Sequence, residues 1–427
     1  MVNNSCSRIT LFLAPLLFYI SYARLCNKQP QGHGVSVKRS PWAVANRAQA
    51  SKVIQAQTET RFHPRFLEEE GETSALLCDL LPQSNLDNAW DVAYSSRGTG
   101  MLVYQNGVLR FEQYAPENVC LFFCRFAFVR TVLVDWLGLF NRRGGAPARP
   151  AALYSMTKTL AGLAALLLQR DGVSLDDPVS LYITEWANDT ERNAISIRQL
   201  LSLSSGMEAN VGWMGHLLFQ LSNALTRPIL PAQPFDYGWE PFLAFSRLIE
   251  VVTGKDAETF LQEQLFTPLG ITSFQFGQTA RGDPLTVLSS SASATLPDVA
   301  ALGLELLAAA ANDSTRTRVL THAEIVGDLL RPGSNPAYGL TVWLNAAGLD
   351  TDSRTSVEVY YPACGSSGVI HAIGAGGQIL TIVPSQQLVV AKTARLAGRV
   401  RFEDMKPFWE ALFENQDCTC RRGQEDV

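Results

Sequence analysis

The stretch "SMTKTLAGLAALLLQRDG", beginning at Ser155, most narrows what this chain can become. Its first turn carries Ser155 and Lys158, and residues 159–168 are only Thr, Leu, Ala and Gly. A helix that is apolar around its whole circumference has no face to give to water and must lie inside the fold. Burying one takes a large domain, and 427 residues that are 47% hydrophobic and 18% charged can build one, or two closely joined. On such a helix Ser155 and Lys158 share a face one turn apart, so their side chains can meet. A free lysine titrates near about 10.4, but desolvation and the positive end of a helix both favour the neutral amine, which can accept a serine proton. The burial that makes the charge costly would thus make the base. The competing reading has Ser155 capping the helix and Lys158 reaching out to water.

Strand signals stand at both ends of the chain. "MLVYQNGVLRFEQY" has two β-rich runs joined by Asn106-Gly107, the pair that best tolerates a type I′ hairpin turn. "QILTIVPSQQLVVAKTA" predicts a second pair, Gln378 to Val383 and Leu388 to Thr393, and "FEDMKPFWEALFEN" a closing helix. Between them "ISIRQLLSL", "FLAFSRLIEVVTG" and "LPDVAALGLELLAAAA" have helical spacing. The expected fold is α+β: an antiparallel sheet from both chain ends, flanked by helices, with a mostly helical inserted subdomain at about 175–330.

A net charge of -5 and no basic stripe interleaved with aromatics argue against nucleic acid as a partner. Arg8 followed by an apolar run from Ile9 to Ala23 suits a signal peptide cleaved after Ala23, with an uncleaved anchor or a buried N-terminal helix as alternatives, and residues 24–75 as a linker. Either of the first two places the protein in the secretory pathway, outside the cell or on the non-cytosolic side of a membrane. Cleavage would leave seven of the eight cysteines, an odd number whose pairing cannot be read from spacing. No CxxC pair or HExxH helix occurs, and no metal or cofactor is expected. Residues 115–149 form an apolar insertion in which Arg125, Arg130 and Asp135 interrupt the run from Cys120 to Phe140. That argues against a bilayer span and leaves three readings: a packed helix, a membrane-surface contact through 120–140, or a lid beside the site.

Several motifs recur in a fixed order: "SMTK", a buried helix with "DGVSLDDPVSLYITEW", "ISIRQLLSLSSGM", "FDYGWEPFLAFSRLIEVVTGKDAETFLQEQLFTPLGI" and "GAGGQILTIVP". Together they resemble the serine hydrolases related to class C β-lactamases and penicillin-binding proteins, and within them the branch of 6-aminohexanoate-dimer hydrolase and similar esterases. The resemblance runs from about Gly98 to Arg395 without the insertion, inside a domain placed at 76–415 that a polar tail, 416–427, follows. It implies a nucleophilic Ser155, a base Lys158, and Tyr237 as a proton relay whose acidity Lys158 raises. It also implies an oxyanion hole from the amides of Ser155 and Ala375, at the glycine-rich edge that begins with Gly374.

The chain departs from that pattern at two places. Trp239 stands where an asparagine would bind an acyl side chain, and "HAIG", His371 to Gly374, replaces a KTG strand. His371 is the residue expected to take over part of the lost lysine's role. "GAGGQ" lacks GxGxxG spacing and leads into a strand, and no GxSxG elbow exists, so neither dinucleotide binding nor an α/β-hydrolase is indicated. The expectation is a serine hydrolase acting on an ester or small amide through an acyl-enzyme at Ser155. The alternative is a non-catalytic scaffold or binding protein of the same fold.

Overall fold

The Asn106-Gly107 turn shapes the first hairpin as its composition predicts, with both residues at positive φ, 53° and 77°. Strands β1 (Gly98–Gln105) and β2 (Val108–Tyr114) pair antiparallel across it. The computed structural model describes residues 76–78, 80–116, 145–208, 225, 229, 235–279, 284–351, 356–357, 368–395, 402–415 and 420–422. Expectations for the signal segment, the 24–75 linker, residues 117–144 of the insertion and most of the tail fall outside them. No helix among the described residues is long and apolar enough to cross a membrane.

The C-terminal half supplies β3 (Trp343–Leu344), β4 (Ile370–Gly374), β5 (Gln378–Val383) and β6 (Leu388–Ala394). With the first hairpin they make one six-stranded antiparallel sheet in the order β2-β1-β6-β5-β4-β3. The chain ends therefore meet at its centre, where β1 pairs with β6 over Leu388↔Gln105 to Ala394↔Gly98. Every residue of β1, β5 and β6 is buried, because helices cover both faces.

Alternation along the strands sorts those faces. Helix α1 (Gln83–Ser95) packs on β1 and on the closing helix α5 (Lys406–Leu412), whose Trp409 and Phe408 meet His371 and Lys392. The neighbouring strand positions point the other way. A Cβ added at Gly303 of α4 (Leu296–Ala310) would lie 2.6 Å from Val389 and 2.7 Å from Leu380. Glycine there lets that helix approach the sheet.

Helix α2 (Thr157–Leu168) is buried along its whole length and ends through Gly172, whose left-handed φ of 88° closes the following turn. It packs on α3 (Glu240–Thr253). Between them, residues 173–196 are less helical than expected, with 3-10 turns at Val179–Leu181 and Thr184–Trp186. Pro178 stops a helix at its own position, and the Val179 amide bonds to the Ile195 carbonyl instead.

On α2, a Cβ at Gly162 would lie 2.2 Å from Thr341 Oγ1 and 2.8 Å from the Leu340 carbonyl oxygen. Backbone cannot yield as a flexible side chain can, so Gly162→Ala is expected to destabilise the fold by about 1–3 kcal/mol, read as a lower denaturant midpoint at unchanged slope.

Candidate active site

Ser155 sits in a single 3-10 turn, Tyr154–Met156, that feeds into α2. Tyr154 immediately before it is left-handed, with φ 49°, a costly conformation for a bulky residue. Thr157 holds the turn: its hydroxyl donates to the Tyr154 carbonyl at 2.5 Å and accepts from the Ala292 amide at 3.0 Å. The Leu153 amide bonds to the Ala292 carbonyl at 2.8 Å, tying the Ser155 turn to the segment after Ser289.

Lys158 is 1% exposed, and its Nζ lies 3.3 Å from Ser155 Oγ. The same nitrogen donates to the Ser289 carbonyl at 2.8 Å. Two aromatic rings complete its surroundings, Tyr237 at 4.8 Å and Phe242 at 5.1 Å from Nζ to the centroid. Burial pulls its pKa down to about 7, partly opposed by the negative charge of Glu240. The amine is thus substantially unprotonated near neutral pH, beside one hydroxyl. The water-facing alternative for this lysine does not hold.

Tyr237 is also buried, and its phenol oxygen makes side-chain hydrogen bonds with Ser155 and Trp343. Burial pushes its pKa up to about 12, against those two hydrogen bonds and helped by the Asp350 charge. The expected gain in acidity from Lys158 is therefore corrected. A half-neutral amine supplies little positive charge, and desolvation outweighs it. The indole N–H of Trp343 can only donate, so the phenol keeps its own proton available for the Ser155 side. Phe235, Tyr237, Tyr338 and Trp343 interlock, with Tyr237 and Trp343 stacked at 5.6 Å and Tyr338 and Trp343 edge to face at 4.8 Å.

Strand β4 borders this cluster. A Cβ at Gly374 would lie 2.1 Å from the Leu153 carbonyl oxygen, so only glycine lets the strand end beside the serine turn. Ala375 follows it, exposed in the turn to β5, with Gly376 and Gly377 at positive φ. His371 is not brought to the serine. It is fully buried on the opposite face, its Nδ1 2.8 Å from Thr381 Oγ1 and its ring 5.9 Å from Trp409. His371 lies three positions before Gly374, an odd offset, and strand alternation sends odd offsets to opposite faces. Ala372 holds the position sharing Gly374's face. Trp239 caps the start of α3, its side chain packed on Leu243 and Val287.

Sequence reasoning found the serine, the lysine and the tyrosine but not their neighbours. The Ser289 carbonyl could not be found, because a backbone acceptor leaves no residue signature. Trp343 and Asp350 come from short or irregular segments, and Glu240, at the start of α3, alone had a signal, a carboxylate three residues after Tyr237. Among the described residues no group of three or more His, Cys, Asp or Glu could hold a metal ion.

The family model named Beta-lactamase matches residues 82–412, and the chain belongs to that family. That membership defines the class as a hydrolase of the serine type. Solved structures share the fold. A penicillin-binding protein homologue from Caulobacter crescentus aligns with a TM-score of 0.55 at 15% identity, over 79% of this chain and 99% of that one. A candidate 6-aminohexanoate-dimer hydrolase from Bacillus anthracis aligns with a TM-score of 0.53 at 15% identity, over 76% and 80%. A D-stereospecific amidohydrolase from a Streptomyces species aligns with a TM-score of 0.52 at 15% identity, over 78% and 99%. At such identities the likeness speaks to the fold. No curated protein sequence matches the chain.

The depressed lysine also marks stability. Its folded pKa of about 7 lies below the unfolded value of about 10.4, so between the two the unfolded chain binds more protons and stability rises with pH. Below pH 7 the penalty is fully present; above the unfolded value it vanishes. Lys158→Met removes it. The variant is expected to melt above the wild type at pH 7, with the gap closing towards pH 10, as measured by thermal unfolding across that range.

Proposed function

We propose that the protein hydrolyses an ester or small amide through an acyl-enzyme at Ser155. The observation that carries this reading is the buried Lys158 amine within reach of Ser155 Oγ, with its pKa drawn down to about 7. In the neutral form the amine accepts the Ser155 proton as Oγ attacks the carbonyl carbon. The amides of Ser155 and Ala375 stabilise the oxyanion. As the tetrahedral intermediate collapses, Tyr237 gives its proton to the leaving group and is reprotonated from Lys158. Water then attacks the acyl-enzyme by the same route and frees the acid.

Bond preference follows from the two departures in sequence. With Trp239 in place of an amide side chain and Ala372 in place of a lysine, the site lacks polar groups that would hold an acylamino side chain and a carboxylate. An ester or simple amide asks for neither. The amidohydrolase and dimer hydrolase among the structures of similar fold support an acyl-transfer reading of this kind. A secretory location, and an apolar acyl group meeting the 120–140 segment, extend the proposal.

A fluorophosphonate probe tests the nucleophile directly. Wild type should be labelled on Ser155 and Ser155→Ala should not, with nitrophenyl ester turnover falling by about 10³-fold or more in that variant. An unlabelled wild type would instead favour the non-catalytic scaffold. In a screen of esters, small amides and a chromogenic cephalosporin, the cephalosporin should be the poorest substrate.

A further inference from the structure

Two of the eight cysteines stand at opposed register positions. Leu76–Cys78 and Cys420–Arg422 form a two-stranded antiparallel sheet in which Cys78 is the partner of Cys420. Directly opposed residues of an antiparallel pair lie on the same face of the ribbon, with Cα atoms about 4.5 or 5.5 Å apart according to their place in the ladder. Both separations fall inside the roughly 4.4–6.8 Å that a disulfide spans between Cα atoms. The register is also set from outside the ribbon. Helices α1 and α5 pack together, and Asn85 Nδ2 donates to the carbonyls of Leu412 at 3.1 Å and Glu414 at 2.9 Å. From that tie the two segments run outward by nearly equal lengths, seven positions back from Asn85 to Cys78 and six on from Glu414 to Cys420. Three residues a side are too few for an isolated two-stranded ribbon to hold in water. A covalent bond at the end nearer the helices would hold it.

We infer that Cys78 and Cys420 form a disulfide clasp that joins the segment before α1 to the segment after α5. This goes beyond the hydrolase reading and does not depend on it. The bond forms by thiol–disulfide exchange with a small-molecule or protein disulfide. One cysteine thiolate attacks the reagent's S–S bond and expels half of it as a thiolate, and the second cysteine thiolate displaces the other half. The two cysteine sulfurs are oxidised, the reagent is reduced to two thiols, and the cysteine protons pass to them. An oxidising compartment, such as the proposed secretory route supplies, favours that exchange. The enclosed loop, 78–420, contains the whole family-matched stretch, 82–412, and both strands that meet at the centre of the sheet, β1 and β6. A crosslink around it restricts the unfolded chain. It also pins α5, whose Trp409 and Phe408 lie over His371 and Lys392.

The test is disulfide mapping of the full chain, equilibrated with reduced and oxidised glutathione and then blocked with an alkylating reagent. Non-reducing tryptic digestion and tandem mass spectrometry should return a peptide pair linked through Cys78 and Cys420 that reduction separates. No Lys or Arg lies between Cys418 and Cys420, so the two share a tryptic peptide and variants make the assignment. The link should vanish in Cys78→Ser and in Cys420→Ser and persist in Cys418→Ser. Wild type with Cys78 and Cys420 both alkylated, or with Cys78 linked to Cys418 or to any other cysteine, would overturn the proposal. Reduction should also lower the thermal midpoint of the wild type by more than that of Cys420→Ser; an equal drop in both would overturn the clasp's stabilising role. Ester turnover enters none of these readings, so their failure leaves the hydrolase reading untouched.

Discussion

The cost of keeping an ammonium out of water is the constraint around which this structure is arranged. Lys158 cannot reach solvent from an all-apolar helix buried along its length, so the penalty falls on the charge itself and the proton becomes easy to lose. Everything near it sustains that condition. Gly162 allows the backbone at Leu340 and Thr341 to close on the helix, the Tyr237 and Phe242 rings exclude water, and the Ser289 carbonyl orients the nitrogen towards the serine. The chain accepts a less stable core in exchange for an unprotonated buried amine, a trade seen where activity depends on an unfavourable buried group.

The second constraint is close approach of backbone to backbone. Ser155 is presented on a turn whose preceding tyrosine is left-handed, and Thr157 holds that turn through two hydrogen bonds. On the other side Gly374 admits the Leu153 carbonyl where any side chain would collide. The Ser155 turn and the strand edge are therefore positioned by parts with little room to adjust, which is the fixed geometry that the proposed acyl-transfer chemistry requires. The two protonic groups are tuned in opposite senses by the same burial. The lysine loses its proton readily and the tyrosine keeps its own, which is what the proposed roles of base and donor require.

His371 shows how a single position decides whether a residue belongs to a site. One residue nearer to Gly374 it would have shared that glycine's face; where it stands, it packs against Trp409 in the layer formed by the terminal helices. Lys392 belongs to that layer too, over the Phe408 ring, with its pKa lowered by burial to about 8. The two buried lysines among the described residues thus differ in surroundings: a hydroxyl lies within reach of Lys158, and an aromatic ring faces Lys392.

Some of this was legible in the residues. The apolar helix had to be interior because it has no polar face, and Ser155 and Lys158 could meet because helical geometry brings residues three apart onto one side. The hairpin at Asn106-Gly107 and the strand pair after Gly374 were legible for the same reason: turn chemistry and alternation are local. What remained hidden depends on contacts between distant segments. The Ser289 carbonyl and the Trp343 indole reach the site through long-range packing, and the sign of the tyrosine's shift depends on how much water that packing removes. Sequence by itself determined which side chains could do the chemistry, since helical spacing is a property of neighbours. Only the tertiary structure decided their protonation and their partners, because desolvation is set by what the rest of the chain places around them.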